Sequence, residues 1–273
     1  DGLVKNKPVI ISGPCSAETE KQTIQTAHEL KAIGVNIFRA GIWKPRTRPN
    51  SFEGVGNRGL NWMKTVKKET GMLLSTEVAN VKHDYESLKA GIDILWIGAR
   101  TTANPFAIQE IAESLKGIDI PVLVKNPLNP DVDLWLGAIE RFNNAGLKKL
   151  GAIHRGFSGF EKSIYRNIPQ WQIPIELKTR IPEIPLFCDP SHIAGNRTLL
   201  QDLSQKAMDL NFDGLMIESH PAPNEAWSDA KQQITPNDLK ILIQNLVIRE
   251  ENPNGISLET IEDLRFRIDE CDN

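Results

Sequence analysis

Eight short apolar runs rich in β-formers recur along the first 220 residues, at 9–12, 37–40, 73–76, 94–97, 122–124, 151–154, 186–188 and 214–217. Their centres stand about 20 to 37 residues apart, roughly one strand–helix unit each. Most are apolar on both faces, as expected of parallel strands covered by helices. Few architectures accept eight such units in a row. An open doubly wound sheet commonly uses five or six strands, so the count favours a closed (β/α)8 TIM barrel, although periodicity alone does not exclude the open sheet.

Helix-period stretches fill the gaps. Ile24, Ala27, Leu30 and Ile33 precede Gly34, and Leu60, Met63 and Val66 precede Gly71, with each glycine placed to stop a helix. Asn104-Pro105 and Thr235-Pro236 read as N-cap followed by first helical residue. Leu199, Leu200, Leu203, Ala207 and Leu210 form another stripe, whereas the proline-rich stretch 169–182 is the weakest helix signal. Residues 250–255, Glu-Glu-Asn-Pro-Asn-Gly, read as a linker, and Leu258, Ile261, Leu264 and Ile268 beyond them share one helical face. The expected organisation is a barrel over 1–250 and a short helical tail over 251–273.

The 273 residues suit one barrel of this kind. With 32 Lys plus Arg against 35 Asp plus Glu, the net charge of −3 gives no electrostatic case for nucleic acid or an anionic membrane. No apolar run approaches a membrane span, and no secretory leader pattern opens the chain. Cys15, Cys188 and Cys271 are too few and too scattered for a disulfide framework. A cytoplasmic protein is expected.

Chemistry in such a barrel sits at the C-terminal strand ends. There the sequence places Cys15 and Glu18, then Arg39 and Lys44, Glu77, Arg100, Lys125, His154-Arg155, Asp189 with His192, and Glu218 with His220. A charge at every mouth is hard to explain without a polyanionic ligand. Arginine forks suit phosphate and carboxylate groups. Cys15, His192, Glu218 and Asp229 together offer donors for one divalent metal, with Mn²⁺, Fe²⁺, Co²⁺ and Zn²⁺ all compatible. No tight spacing such as CxxC marks that site, and lone cysteines or histidines are usually structural. Cys188, mid-strand, reads as an apolar filler.

Several motifs in order then resemble one family. Gly-Pro-Cys-Ser-Ala-Glu at 13–18, Lys-Pro-Arg-Thr at 44–47, Lys-Asn-Pro at 125–127, His-Arg-Gly at 154–156, Asp-Pro-Ser-His at 189–192, Glu218-Ser219-His220 and Ser228-Asp229 resemble the 3-deoxy-D-arabino-heptulosonate 7-phosphate (DAHP) synthases. The likeness covers about residues 7 to 247 and points to the short subfamily sometimes fused to chorismate mutase. It implies condensation of phosphoenolpyruvate with erythrose 4-phosphate, the first step of the shikimate pathway. It implies a metal, Mn²⁺ first and Co²⁺, Fe²⁺ or Zn²⁺ as alternatives, on Cys15, His192, Glu218 and Asp229. Phosphoenolpyruvate would meet Arg100, Lys125 and Arg155, with Lys44 and Arg39 contributing. Erythrose 4-phosphate would meet Lys44, Pro45, Arg46, Thr47 and Asp229. Lys125, Glu77 and Lys44 are the expected catalytic groups, and a homo-oligomer is expected.

Three other readings compete. A related barrel, 3-deoxy-D-manno-octulosonate 8-phosphate synthase, typically has Lys-Ala-Asn-Arg where this chain has Lys44-Pro45-Arg46-Thr47. A Schiff-base aldolase would use Lys125 covalently. A catalytically dead barrel scaffolding a mutase should have lost ligands or phosphate cations, and none is missing. The tail 264–272 resembles the opening of a helical chorismate mutase, with Arg265 matching a chorismate-contacting arginine, so a mutase domain is expected in the full-length protein. One helix cannot enclose chorismate, and no mutase activity or control by a mutase ligand such as prephenate is expected of these 273 residues. No N-terminal regulatory domain of the kind some relatives carry is expected ahead of the barrel.

Overall fold

The computed structural model describes residues 8–44, 50–160 and 162–248. Eight parallel strands, β1 (Val9–Gly13), β2 (Ile37–Arg39), β3 (Leu73–Val78), β4 (Ile94–Ile97), β5 (Val122–Lys125), β6 (Leu150–His154), β7 (Leu186–Cys188) and β8 (Gly214–Glu218), pair in chain order. β8 pairs with β1, Gly13 facing Glu218, which closes the barrel. The eight-strand expectation is met at every position. β1, β3, β5 and β8 run further at their C-terminal ends than the apolar runs alone implied, so Glu77, Lys125 and Glu218 ride on strand backbone rather than on loops.

The helices are α1 (Glu20–Ala32), α2 (Asn57–Thr70), α3 (Val81–Lys89), α4 (Ala99–Thr102), α5 (Pro105–Ser114), α6 (Val132–Asn144), α7 (Gln172–Arg180), α8 (Pro190–Ala194), α9 (Leu200–Asp209) and α10 (Pro236–Gln244). Local chemistry sets their starts. Asn104 accepts from the Phe106 and Ala107 amides ahead of α5, and Thr235 with Asp238 closes a capping box on α10. α7 tolerates Pro174 because it falls in the first turn, where the missing N–H has no intrahelical partner. α1 keeps its expected stripe, with Ala27 and Leu30 buried and Ile24 and Ile33 packed on the core, and widens it with polar residues. Its buried face is Gln22, Thr23, Thr26, Ala27 and Leu30. The Thr23 and Thr26 hydroxyls donate to the Thr19 and Gln22 carbonyls, so no donor is orphaned by their burial.

Two apolar layers result. Ile11, Ile37, Ile94, Trp96, Leu123, Ile153, Phe187 and Met216 fill the barrel interior. The outer faces of the strands share a larger core with the helices, in which Cys188 is fully buried. Among the described residues, no helix is long and apolar enough to cross a membrane.

Candidate active site

The closed barrel brings Cys15, just past β1, beside Glu218 at the end of β8. Asp229 reaches the same point from the loop before α10. One donor atom from each lies within 4.8 Å of the other two. The Cys15 thiol donates to Asp229 Oδ2 at 3.2 Å. His192, on α8, stands at the edge of this cluster with Nε2 3.8 Å from Glu218 Oε1, while its Nδ1 lies 2.8 Å from Asp189 Oδ2. All four expected metal donors therefore converge, three tightly and His192 less so.

Cations surround them. Arg39, buried against the Trp96 ring, donates to Glu218 Oε1 and to the Cys15 carbonyl, both at 3.2 Å. Lys44 donates to the same carbonyl at 3.0 Å and to Cys15 Sγ at 2.9 Å. Lys125, at the end of β5, is ion-paired with buried Asp189 at 2.6 Å. Arg155 follows β6. It is 8% exposed, yet among the described residues it makes no ion pair, donating instead to Asn167 Oδ1 and to the Gly156 carbonyl. Glu77 accepts from the Trp96 indole at 3.2 Å, and its carboxylate packs where a Cβ on Gly98 would stand.

Electrostatics follow from this crowding. Burial, with Glu218 beside it, pushes the Cys15 thiol up to about 12. Burial also works against charge on Glu218 and Asp229, but His192 with Arg39 in the first case and His192 with Arg166 in the second outweigh it and hold both carboxyls below their ordinary range. Burial lowers His192 against the opposing pull of Asp189. Burial pulls Arg155 down to about 10, and the charges of Arg166 and Arg100 press the same way against the opposing pull of Asp189. A buried and a half-buried carboxylate, a thiol and an imidazole are a donor set that a divalent cation fits.

Some expected residues do not join the cluster. Arg100 lies exposed on α4, near enough to Arg155 to affect its charge. Pro45, Arg46 and Thr47 fall outside the described residues. His154 turns the other way, into the helix layer among Phe157, Trp171 and Phe212, where burial depresses it to about 3. Its place in a polar motif is explained by packing.

Other site residues escaped the sequence reading. Arg166 donates to Asp229 Oδ1 and to Gln232 Oε1, both at 2.8 Å. Gln232 donates to Glu218 Oε2 at 2.7 Å, and Gln233 accepts from the Cys15 amide. Asn126 Oδ1 accepts from the Arg155 amide. Arg166 lies in an irregular loop, and the only prior signal was its cationic type near a conspicuous run of prolines.

Comparison with known proteins gives a consistent picture. The sequence model of the DAHP synthetase I family matches residues 4–250. A phospho-2-dehydro-3-deoxyheptonate aldolase of Thermotoga maritima is 35% identical over 237 residues, 87% of this chain and 68% of that protein. The crystal structure of a Thermotoga maritima phospho-2-dehydro-3-deoxyheptonate aldolase (DAHP synthase) superposes with a TM-score of 0.77 at 33% identity, covering 86% of this chain and 67% of that one. A 2-dehydro-3-deoxyphosphooctonate aldolase of Cupriavidus necator is more distant, 27% identical over 260 residues and 86% of each chain.

Proposed function

The chain belongs to the DAHP synthetase I family, and from that premise we propose that its barrel condenses phosphoenolpyruvate with erythrose 4-phosphate to DAHP and phosphate. The observation that carries this reading is Arg155. A buried guanidinium without an ion-pair partner among the described residues is costly, and a phosphate or carboxylate oxygen would supply an opposing charge. Lys125 and Arg100 extend the same anion pocket, with Lys44 and Arg39 toward its metal-donor side. Lys44, Asp229 and the segment Pro45-Arg46-Thr47 take the aldose phosphate.

In the reaction, C3 of the enol attacks the aldehyde carbon. Water then adds at C2, and phosphate leaves with cleavage of its C–O bond. Cys15, His192, Glu218 and Asp229 would hold a divalent metal, Mn²⁺ in this proposal, which would supply Lewis-acid stabilisation of the aldehyde oxygen. The cations orient two mutually repelling anions and offset their repulsion. Lys125 and Glu77 are placed at strand ends to move protons near C2, Lys125 using the charge that Asp189 stabilises. That buried ion pair also favours the metal-dependent reading over a Schiff base, because the amine is engaged as an ammonium.

The test follows loss of phosphoenolpyruvate in the presence of erythrose 4-phosphate or arabinose 5-phosphate. The expected result is turnover with the four-carbon sugar, abolished by EDTA, restored by Mn²⁺, and unaffected by borohydride. Preference for the five-carbon sugar, or turnover in EDTA, overturns it. A cytoplasmic setting belongs to the same proposal, since the Cys15 thiol requires reducing surroundings. So do a homo-oligomer and, from residues 251–273, a chorismate mutase domain.

A further inference from the structure

Three neutral oxygens hold Arg155. Its amide donates to Asn126 Oδ1 at 2.7 Å. Its Nη1 donates to Asn167 Oδ1 at 2.6 Å and to the Gly156 carbonyl at 3.3 Å. Asp189, the buried acid whose charge acts on Arg155, is bonded to Lys125 and His192 instead.

Asn167 is engaged at both ends of its carboxamide. Its Nδ2 donates to the His192 carbonyl at 2.6 Å, which leaves the oxygen to face Arg155. The backbone around it is fixed as well. The Asn167 amide donates to the Ile193 carbonyl at 3.1 Å, and the Arg166 amide to the Ala194 carbonyl at 3.2 Å, so both residues lie along α8. Phe157 and Ile168 exchange two backbone bonds of 2.8 Å across an antiparallel bridge, which closes this segment onto the end of β6. Gly156 permits the close approach: its φ is +77°, and an added Cβ would lie 2.7 Å from the Asn167 carbonyl oxygen. Asn167 is buried, so its amide oxygen is a fixed dipole rather than a solvated one.

We propose that Asn167 is a positioning residue for the enol phosphate, a neutral clamp that orients the Arg155 guanidinium and leaves its charge to the substrate. An aspartate of the same shape would satisfy that charge from within and compete with the incoming anion. It would also set a carboxylate oxygen against the His192 carbonyl. Neutrality, more than shape, is what this position requires. The inference rests on the function proposed above.

The experiment measures phosphoenolpyruvate binding to the intact chain by calorimetry, without the aldose, in Asn167→Ala and Asn167→Asp. Asn167→Ala removes the clamp and should weaken binding about three- to tenfold, the scale of one hydrogen bond. Asn167→Asp should weaken it further, by about ten- to a hundredfold, the scale of a charged hydrogen bond. Its melting temperature should nevertheless be no lower than that of Asn167→Ala, because the new carboxylate pairs with Arg155. A residue that served packing alone would give the reverse order, the isosteric aspartate being milder than the truncation. KM for erythrose 4-phosphate should stay within about twofold in both variants. A double-mutant cycle makes the test without the aspartate: in an Arg155→Ala background, Asn167→Ala should change phosphoenolpyruvate affinity by less than about twofold. An equal or milder loss in Asn167→Asp, losses that add in the cycle, or a defect confined to the aldose phosphate overturns the proposal. A wild-type chain that binds phosphoenolpyruvate but forms no DAHP overturns the functional reading instead, and the order of the variants still decides the clamp. A wild-type chain that binds no phosphoenolpyruvate overturns both.

Discussion

The site has two halves that are built differently. Arg39, Lys125 and Glu218 are the last residues of their strands, Glu77 is the last but one, and Cys15 lies two residues past β1. Their backbones are held by the parallel ladder, with Lys125 opposite Ile153 and Glu77 opposite Trp96. Asp229, Arg166 and Gln232 come from loops and are held by one another, by Glu218 and by the Cys15 thiol. Asp229 adopts a left-handed backbone, φ +49°, and its carboxylate is kept in place by Arg166 on one oxygen and the Cys15 thiol on the other. The strand half is rigid because the fold demands it. The loop half is rigid only while its own network is complete, which makes it the part that substrate binding and mutation can move.

Substitutions that separate these halves should differ in size. The largest effect is expected at Glu218. Glu218→Ala removes a metal donor from the strand half and leaves Arg39 buried without its carboxylate, which costs about 3–5 kcal/mol of stability. Metal content and DAHP formation should both collapse, and a purified variant retaining metal and turnover would break the assignment. His192→Ala should come close behind in activity while leaving the fold intact, measured as metal affinity and melting temperature together.

Arg155→Lys keeps the charge and loses the fork, so about 1–3 kcal/mol of transition-state binding should disappear from kcat/KM for phosphoenolpyruvate. A defect confined to the aldose parameters would mean the pocket is assigned to the wrong substrate. Arg166→Gln probes the loop half. Its pair with Asp229 is partly open to solvent, so the expected loss is nearer 1 kcal/mol, and it should weaken at high salt. A loss as large as that of Glu218→Ala would erase the distinction between the halves.

The smallest effect lies outside both halves and calibrates them. Asp84, on α3, is 1% exposed and, among the described residues, its carboxylate is hydrogen-bonded only to Ser114 Oγ, at 2.7 Å; burial raises it to about 7. A raised folded-state value means the protonated form is favoured by folding. That contribution is complete below about pH 4 and is lost as pH rises through about 7. Asp84→Asn should therefore flatten the fall in melting temperature over pH 4–7 and leave kinetics untouched. An unchanged pH slope would rule this out.

The same division decides what could be read from sequence. Strands announced themselves as apolar runs, and Asn104, Thr235 and Gly71 marked helix ends through chemistry local to a few residues. The strand-borne site residues followed, because alternation and register place them once the strands are known. Arg166 and Gln232 had no such handle, since irregular loops carry no period and their partners lie 63 and 14 residues away. The buried threonine face of α1 was hidden because hydroxyls bonded to the preceding turn behave as apolar groups. His154 misled in the opposite sense: a titratable residue beside a motif arginine is, in space, part of an aromatic cluster facing the helices.

The β1–β8 seam has a consequence for biosynthesis. Cys15 is synthesised early, and Asp229, with which it shares a hydrogen bond, follows 214 residues later. At ribosomal rates of about 5–20 residues per second, the thiol waits about 10–40 s before its neighbours exist. Throughout that interval it is an ordinary cysteine, open to oxidants and to stray thiophilic metals, with no carboxylates to select among them. Only the arrival of the last strand converts it into a buried donor. If Cys15 holds the metal proposed above, metal selection is acquired when the ring shuts, and loading is expected to follow folding.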